Sequence, residues 1–426
     1  MKIKLNKYAL IVWCYVLLET FHFAFGGGNF RVYFFISLTV LFVYMKGLGV
    51  YRETMTFRMQ MFFVLTMFVS AIVSPNIKGA FFSMCSCVLY LMTSWVIAQF
   101  LLRRRLSVER YMDLLLKIAF AVVAFGLIQY LVFRTTGIAL TYQGSSQLAA
   151  GQIPGVSIEA NGHGKMVGFA IVIAIPCFLR STNKKEKKRA VILLVMGIIT
   201  LIISMTRMVL YALIIVFLSM TIYYLIRKKT RNKITILMMV SIFVIGIVLY
   251  LVSEGIIDLG SYSSTKLNDL FYSDYASIKE DDSGGTRLKI IEASIQTWLQ
   301  SFKTFMIGSG MGQAYINDNG VLMRVAATGI ISTLPSIGLI GEIGYVGMLL
   351  SPLLEARKTL KVVADEENDG KLQFLAEQTI FLSIYIIAMD FFASTYVYAE
   401  MWFVVALGLY WGMYNANYIN KEDLIV

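Results

Sequence analysis

An all-α integral membrane protein of about twelve transmembrane helices, with one large external loop carrying an amphipathic helix, is the fold class that this sequence predicts. Three observations predict it. The 426 residues are 58% hydrophobic with a mean hydropathy of +0.70 and hold five prolines, a balance too apolar for a soluble core. Apolar runs recur near the roughly 20 residues that a helix needs to cross a bilayer. One long polar stretch, Ser253 to Arg324, interrupts them.

In chain order the runs lie at roughly 8–25, 32–50, 57–73, 80–102, 114–133, 165–180, 190–206, 208–226, 234–252, 326–354, 373–391 and 395–415. They divide the chain into helices 1–9 over residues 1–252, an external loop over 253–325, and helices 10–12 with a cytoplasmic tail over 326–426. Cytoplasmic loops collect Lys and Arg. With the N-terminus inside, Lys2, Lys4, Lys7, Arg103 to Arg105, Lys184 to Arg189, Arg227 to Lys233, Arg357, Lys358 and Lys361 all share one side. About 27 of the 38 basic residues fall inside, which puts both termini in the cytoplasm and the 253–325 loop outside. The expected location is a membrane, crossed many times.

The net charge of +12 follows from that bias, so nucleic acid is not an expected partner. The Lys-rich start leads into a run with Glu19 and His22 and no small-x-small cleavage site, which favours a retained first span. Cys14, Cys85, Cys87 and Cys177 lie in apolar runs without metal-ligand spacing, and are read as packing residues. No metal site, nucleotide motif or other cofactor is expected. Neither is an internal repeat, which removes sequence support for a transporter of two inverted halves.

Ionisable residues inside apolar runs cost about 2.5–3.5 kcal/mol each at mid-helix. Glu19, His22, Arg207, Glu342 and Asp390 all fall toward the external half, which points to an outward-facing polar cavity. Arg207 is the sharpest case. Ala190 to Ile226 is 37 residues with one charge, and one helix of that length would measure about 55 Å against a core of about 30 Å. The chain must turn at Ser204-Met-Thr-Arg207, with the Ser204 and Thr206 hydroxyls satisfying freed backbone groups. A guanidinium at an outer turn suits a bidentate phosphate or pyrophosphate contact. Anchoring at the membrane interface is the plainer alternative.

Within the loop, Thr286 to Met306 reads as one amphipathic helix: Ile291, Ile295, Trp298, Phe302 and Phe305 share an arc opposite Lys289, Glu292, Gln296, Gln300 and Lys303. Arg287 projects from the apolar side, Thr286 is the expected N-cap, and Gly284-Gly285 turns the chain into it. The glycine-rich turn Gly308-Ser-Gly310-Met-Gly312 stops the helix and lets backbone pass close to something. Further on, Gly338, Gly341, Gly344 and Gly347 surround Glu342 in a span suited to close helix packing. Glu342 is expected either to pair with an arginine such as Arg207 or to act as a general base.

These features, in this order, resemble the bacterial O-antigen polymerase and ligase superfamily, which includes the Wzy-type repeat-unit polymerases. The stretch from Pro154 through Glu159 and Asn161 to His163 is similar to the family's Gly/Ser-rich segment before a span. Ser204 to Arg207 resembles its Ser/Thr-Arg turn, Arg287 through Trp298 to Gly308, Gly310 and Gly312 its loop helix, and Gly341 to Gly347 its Glu-x-Gly-x-x-Gly span. One position departs: ligases carry His-Asn where this chain has Thr333-Leu334, which favours a polymerase.

The resemblance implies glycosyl transfer from a polyprenyl-pyrophosphate-linked oligosaccharide, yielding O-antigen or capsule. A ligase-type transferase and a flippase or exporter of such lipids are the alternatives. It also implies membrane lipid, a flippase and a chain-length regulator as partners. Arg207 and Arg287 would stabilise the departing pyrophosphate, and Glu342, His163 or Glu159 would serve as base. Asn161, Trp298, Gly308, Gly310 and Gly312 would join the arginines in binding substrate.

Overall fold

The computed structural model describes residues 54–103, 106–140, 148–149, 151–155, 160–180, 184–204, 206–226, 282–313, 315–316, 322–323, 328–364, 370–393 and 399–422. The expected spans at 8–25, 32–50 and 234–252, together with Glu19, His22 and Glu159, lie outside them. Helices dominate the described residues: α1 Met55–Ile72, α2 Ile77–Leu102, α3 Val108–Thr136, α4 Ala160–Arg180, α5 Lys184–Ser204, α6 Arg207–Ile226, α7 Asp282–Leu299, α8 Phe302–Met306, α9 Gly329–Ala364, α10 Gly370–Phe392 and α11 Ala399–Glu422. Between α8 and α9, β1 Tyr315–Ile316 pairs antiparallel with β2 Leu322–Met323.

Seven of these helices are long and apolar enough to cross a membrane, namely α1, α2, α3, α4, α6, α9 and α10. α5 and α11 occupy two more of the expected positions without being among the seven, so twelve spans are not reached among the described residues. α6 shows why the medium is lipid. Its inner side buries Met208, Val209, Ala212, Leu213, Val216 and Met220, and its outer side exposes Ile214, Ile215, Leu218, Ile222 and Leu225. A helix that is apolar all round, with a large aliphatic stripe left outside, is stable in hydrocarbon and a liability in water.

Two compact units divide the chain. In the first, α9 is the central element and packs against α1, α7, α8, α10 and α11, while α11 also packs on α2. Glycines make this possible: a Cβ on Gly344 would lie 3.0 Å from the Phe63 backbone nitrogen, and one on Gly347 would meet the Met59 sulfur at 2.6 Å. The close packing expected of this span is therefore present, and α1 is its partner. At one end of this unit lie Arg58, Arg103, Arg357, Lys358 and Lys361; at the other lies α8.

In the second unit α4 packs against α5 and α6, and is buried along nearly its whole length. Asp113, early in α3, reaches Lys117 at 2.5 Å and Arg189, early in α5, at 3.6 Å. α5 then climbs antiparallel to α4, and Gly197 admits Ile171, so that Ser204 arrives beside the start of α4. The 21 residues of α5 separate Lys184 from Ser204 by about 30 Å.

Candidate functional site

The break foreseen between residues 190 and 226 falls at positions 205–206, where α5 ends at Ser204 and α6 begins at Arg207. Thr206 opens α6, its carbonyl accepting from the amides of Val209 at 3.0 Å and Leu210 at 3.3 Å. Opposite stands the first turn of α4. A Cβ on Gly164 would lie 2.6 Å from Thr206 Oγ1, so the start of α4 and the start of α6 touch. Asn161, His163 and Arg207, predicted separately from the sequence, are thereby gathered at one end of this unit, opposite Lys184 to Arg189. Arg207 is half-buried and Asn161 likewise.

Polar atoms here outnumber their partners. His163 is fully buried (0% exposed), its ring slotted between Gly126 of α3 and Gly155, where a Cβ on either glycine would fall on the imidazole. Neither ring nitrogen has a hydrogen-bond partner among the described residues, and neither does Ser204 Oγ or Thr206 Oγ1. The expectation that these two hydroxyls satisfy freed backbone is corrected: among the described residues neither hydroxyl has a partner, and it is the Thr206 carbonyl that takes the amides of Val209 and Leu210. Each such group costs about 1–3 kcal/mol when left unmade. Two helix N-termini add positive potential here, and Arg207 is the first residue of α6. The arrangement can donate to and attract an anion.

Gly126 was missed in the sequence. A lone glycine in an otherwise bulky span was the available signal, because close approach is what glycine allows there.

In the first unit, the single amphipathic helix expected from Thr286 to Met306 is two helices. α7 begins at Asp282, so Thr286 lies inside it and is not the N-cap; Arg287 follows, its side chain outside the described part. α8 starts after Ser301, whose side chain accepts from the Thr304 amide while Thr304 Oγ1 accepts from the Ser301 amide, a reciprocal cap. That break swings Phe302 outward to 80% exposure. Trp298 stacks on Phe305 at 4.9 Å and donates Nε1–H to its carbonyl at 2.9 Å, so its indole is committed within the loop.

The turn after α8 does pass close to something. α9 is broken at Gly338, which has φ +66° and ψ −178°, a left-handed conformation that favours glycine. Into that break fits the turn, with positive φ at Gly308, Gly310 and Gly312. Ser309 and Gly310 donate their amides to the carbonyls of Pro335 at 2.8 Å and Ser336 at 2.9 Å, Ser309 Oγ–H adds a bond to Pro335 at 2.9 Å, and Ser70 Oγ–H reaches Ser336. Gly310 and Gly312 abut Ser74 and Ser83. All three glycines are buried by protein.

Beyond the break, Glu342 is 7% exposed and faces the Thr333 hydroxyl. Nine residues apart on a straight helix these two would be separated by roughly 13 Å; the discontinuity at Gly338 brings them together. Thr333 directs its proton to the carbonyls of Gly329 and Ile330, and among the described residues no donor meets either oxygen of Glu342 in hydrogen-bond geometry. Tyr345 donates to Asp390 Oδ1 at 2.8 Å, and Gly329 leaves room for that carboxyl. The arginine partner expected for Glu342 is not found among the described residues. Those residues also hold no cluster of three or more His, Cys, Asp or Glu side chains suited to a metal ion.

No protein-family model matches the chain, and no curated protein shows significant similarity to it.

Proposed function

We propose that this membrane protein polymerises polyprenyl-pyrophosphate-linked oligosaccharide repeat units by glycosyl transfer at the outer face of a bacterial cytoplasmic membrane. The observation that supports the reading is the junction of α4 and α6, where two helix N-termini meet, Arg207 opens α6, and the buried Ser204 and Thr206 hydroxyls have no partner among the described residues. The acceptor sugar hydroxyl attacks the anomeric carbon of the donor, and the bond from that carbon to the pyrophosphate oxygen breaks. Negative charge grows on the pyrophosphate, where a guanidinium and preorganised N–H and O–H donors give the most. The hydroxyl proton goes to a base. Glu342, His163 and Glu159 stay the candidates for that base that the resemblance implies.

The orientation follows the charges. Lys184 to Arg189 sit about one bilayer core from Arg207, on the side that the positive-inside bias assigns to the cytoplasm. One observation favours a second reading, an exporter of the same lipid. A discontinuous span beside buried carboxylates, as in α9 with Glu342 and Asp390, is a device of secondary transporters.

Reconstitution of the purified full chain with its lipid-linked repeat unit tests both. Polymer of several repeats is the expected product. Single repeats moved across the bilayer and never joined would replace the polymerase reading with the exporter.

A further inference from the structure

Among the described residues of the first unit, the end remote from α8 holds a cavity of about 360 Å³ between the start of α1, the second half of α9 and the end of α11. Met55, Met59, Gly412 and Ala416 give it apolar walls; Arg58, Lys358 and Glu355 give it charge. Glu355 is already engaged. Its carboxylate accepts from Asn415 Nδ2 at 3.1 Å and lies 3.6 Å from the Lys358 ammonium, and Asn415 is held in turn by the Thr359 hydroxyl at 2.8 Å. The charged side chains that line the cavity are two cations and one carboxylate. The N-terminus of α1, capped by Thr54, adds positive potential.

The level in the membrane identifies the occupant. α1 is an 18-residue span, about 27 Å long, so Met55 and its neighbours stand where hydrocarbon gives way to headgroups. A free hydrated anion gains nothing from methionine walls, whereas an amphiphile uses both the walls and the charge. Basic pockets between spans at this depth suit phospholipid headgroups.

We propose that this cavity seats the phosphodiester headgroup of a membrane phospholipid, with Arg58 and Lys358 on its phosphate oxygens and the two methionines along its glycerol. The proposal is independent of the reaction the protein catalyses.

Native mass spectrometry of the purified full chain, stripped of lipid in detergent and titrated with phosphatidylglycerol, tests it. The double variant Arg58→Gln/Lys358→Gln is expected to retain the lipid about tenfold less well. Ala416→Leu, which fills the cavity and leaves every charge in place, should lower retention similarly, with the lipid-free unfolding temperature unchanged. If the charge variant does not fold, Ala416→Leu carries the test alone. Parental retention in the folded variants overturns the proposal. So does complete displacement by millimolar inorganic phosphate, which would make this a site for a free anion, or equal binding of diacylglycerol, which would make it an apolar crevice.

Discussion

Both units interrupt a membrane helix, and they treat the interruption differently. At Gly338 the freed carbonyls of Pro335 and Ser336 receive two amides and two hydroxyls, from the 308–312 turn and from Ser70. At Thr206 the backbone is capped, yet four buried polar atoms of His163, Ser204 and Thr206 have no partner among the described residues. A break whose freed carbonyls are met has its backbone held, although Glu342 beyond it and Gln313 in the turn keep oxygens without a partner among the described residues. The one that leaves donors over among the described residues is where we propose that a ligand binds. The contrast separates a structural discontinuity from a binding one.

The harshest way to break the comparison is to remove the glycine that permits the first discontinuity. Gly338→Val puts a β-branched side chain at φ +66° and drives its Cβ into the backbone of Met306 and Ile307. We expect a loss of about 2–4 kcal/mol, read as a lowered unfolding temperature in detergent and less protein in the membrane. Gly370→Ala, where a Cβ meets nothing within 4 Å, is the control. Equal stability of the two variants would mean that the turn and α9 do not depend on each other.

Arg207 comes next. On the proposed polymerase reading, Arg207→Ala is expected to lower polymer formation about 100-fold at normal protein abundance, the scale of losing one preorganised charge-stabilising donor. Arg207→Lys should recover part of it, since the charge returns without the planar fork. Full activity in the alanine variant would return Arg207 to the role of a membrane anchor.

How much of this was legible in the sequence follows from the range of each interaction. Seven of the spans were, because burial in lipid is written into every residue of an apolar run, while those expected at 8–25, 32–50 and 234–252 lie outside the described residues. The break near Arg207 was also legible, since 37 residues are too many for one crossing. The division of the loop helix was not: Ser301 and Thr304 form a cap whose second member is not the usual Glu or Gln, and the apolar period continues through it as though the helix did. The destination of the 308–312 turn was out of reach too. Glycines announce that backbone will come close, but Ser309 meets Pro335 across 26 residues and Ser70 meets Ser336 across 266, and no local pattern encodes such pairings. For the same reason neither role expected of Glu342, a partner for an arginine or a general base, pointed to Thr333, which the structure sets against it.

Thr206→Val sharpens the contrast from the other unit. The swap nearly conserves shape and removes a buried hydroxyl that bonds to nothing described, so stability should stay level or rise slightly. If the hydroxyl contacts pyrophosphate, polymer formation should fall about tenfold, the worth of a hydrogen bond to a charged group. Unchanged turnover in membranes containing equal amounts of protein would make Thr206 a filler of the α4–α6 contact. The rise in stability would then be the only consequence.

The smallest expected effect is the most discriminating. Ser309 donates its amide and its hydroxyl to the Pro335 carbonyl, and Ser70 donates its hydroxyl to the neighbouring carbonyl of Ser336. Ser309→Ala and Ser70→Ala should each cost about 0.5–1.5 kcal/mol of stability, because in each case a carbonyl keeps one amide donor and loses a hydroxyl. Neither should alter turnover per folded molecule if this break is purely structural. The two carbonyls belong to adjacent residues in one non-helical turn, so loosening one relaxes the geometry of the other. The double variant should therefore cost less than the sum of the single ones, with a coupling of about 0.5 kcal/mol or more. Strict additivity would mean that the two hydroxyls hold independent pieces of backbone. Lost turnover without lost stability would show that the satisfied break, like the unsatisfied one, belongs to the reaction, and the distinction between the two units would fail.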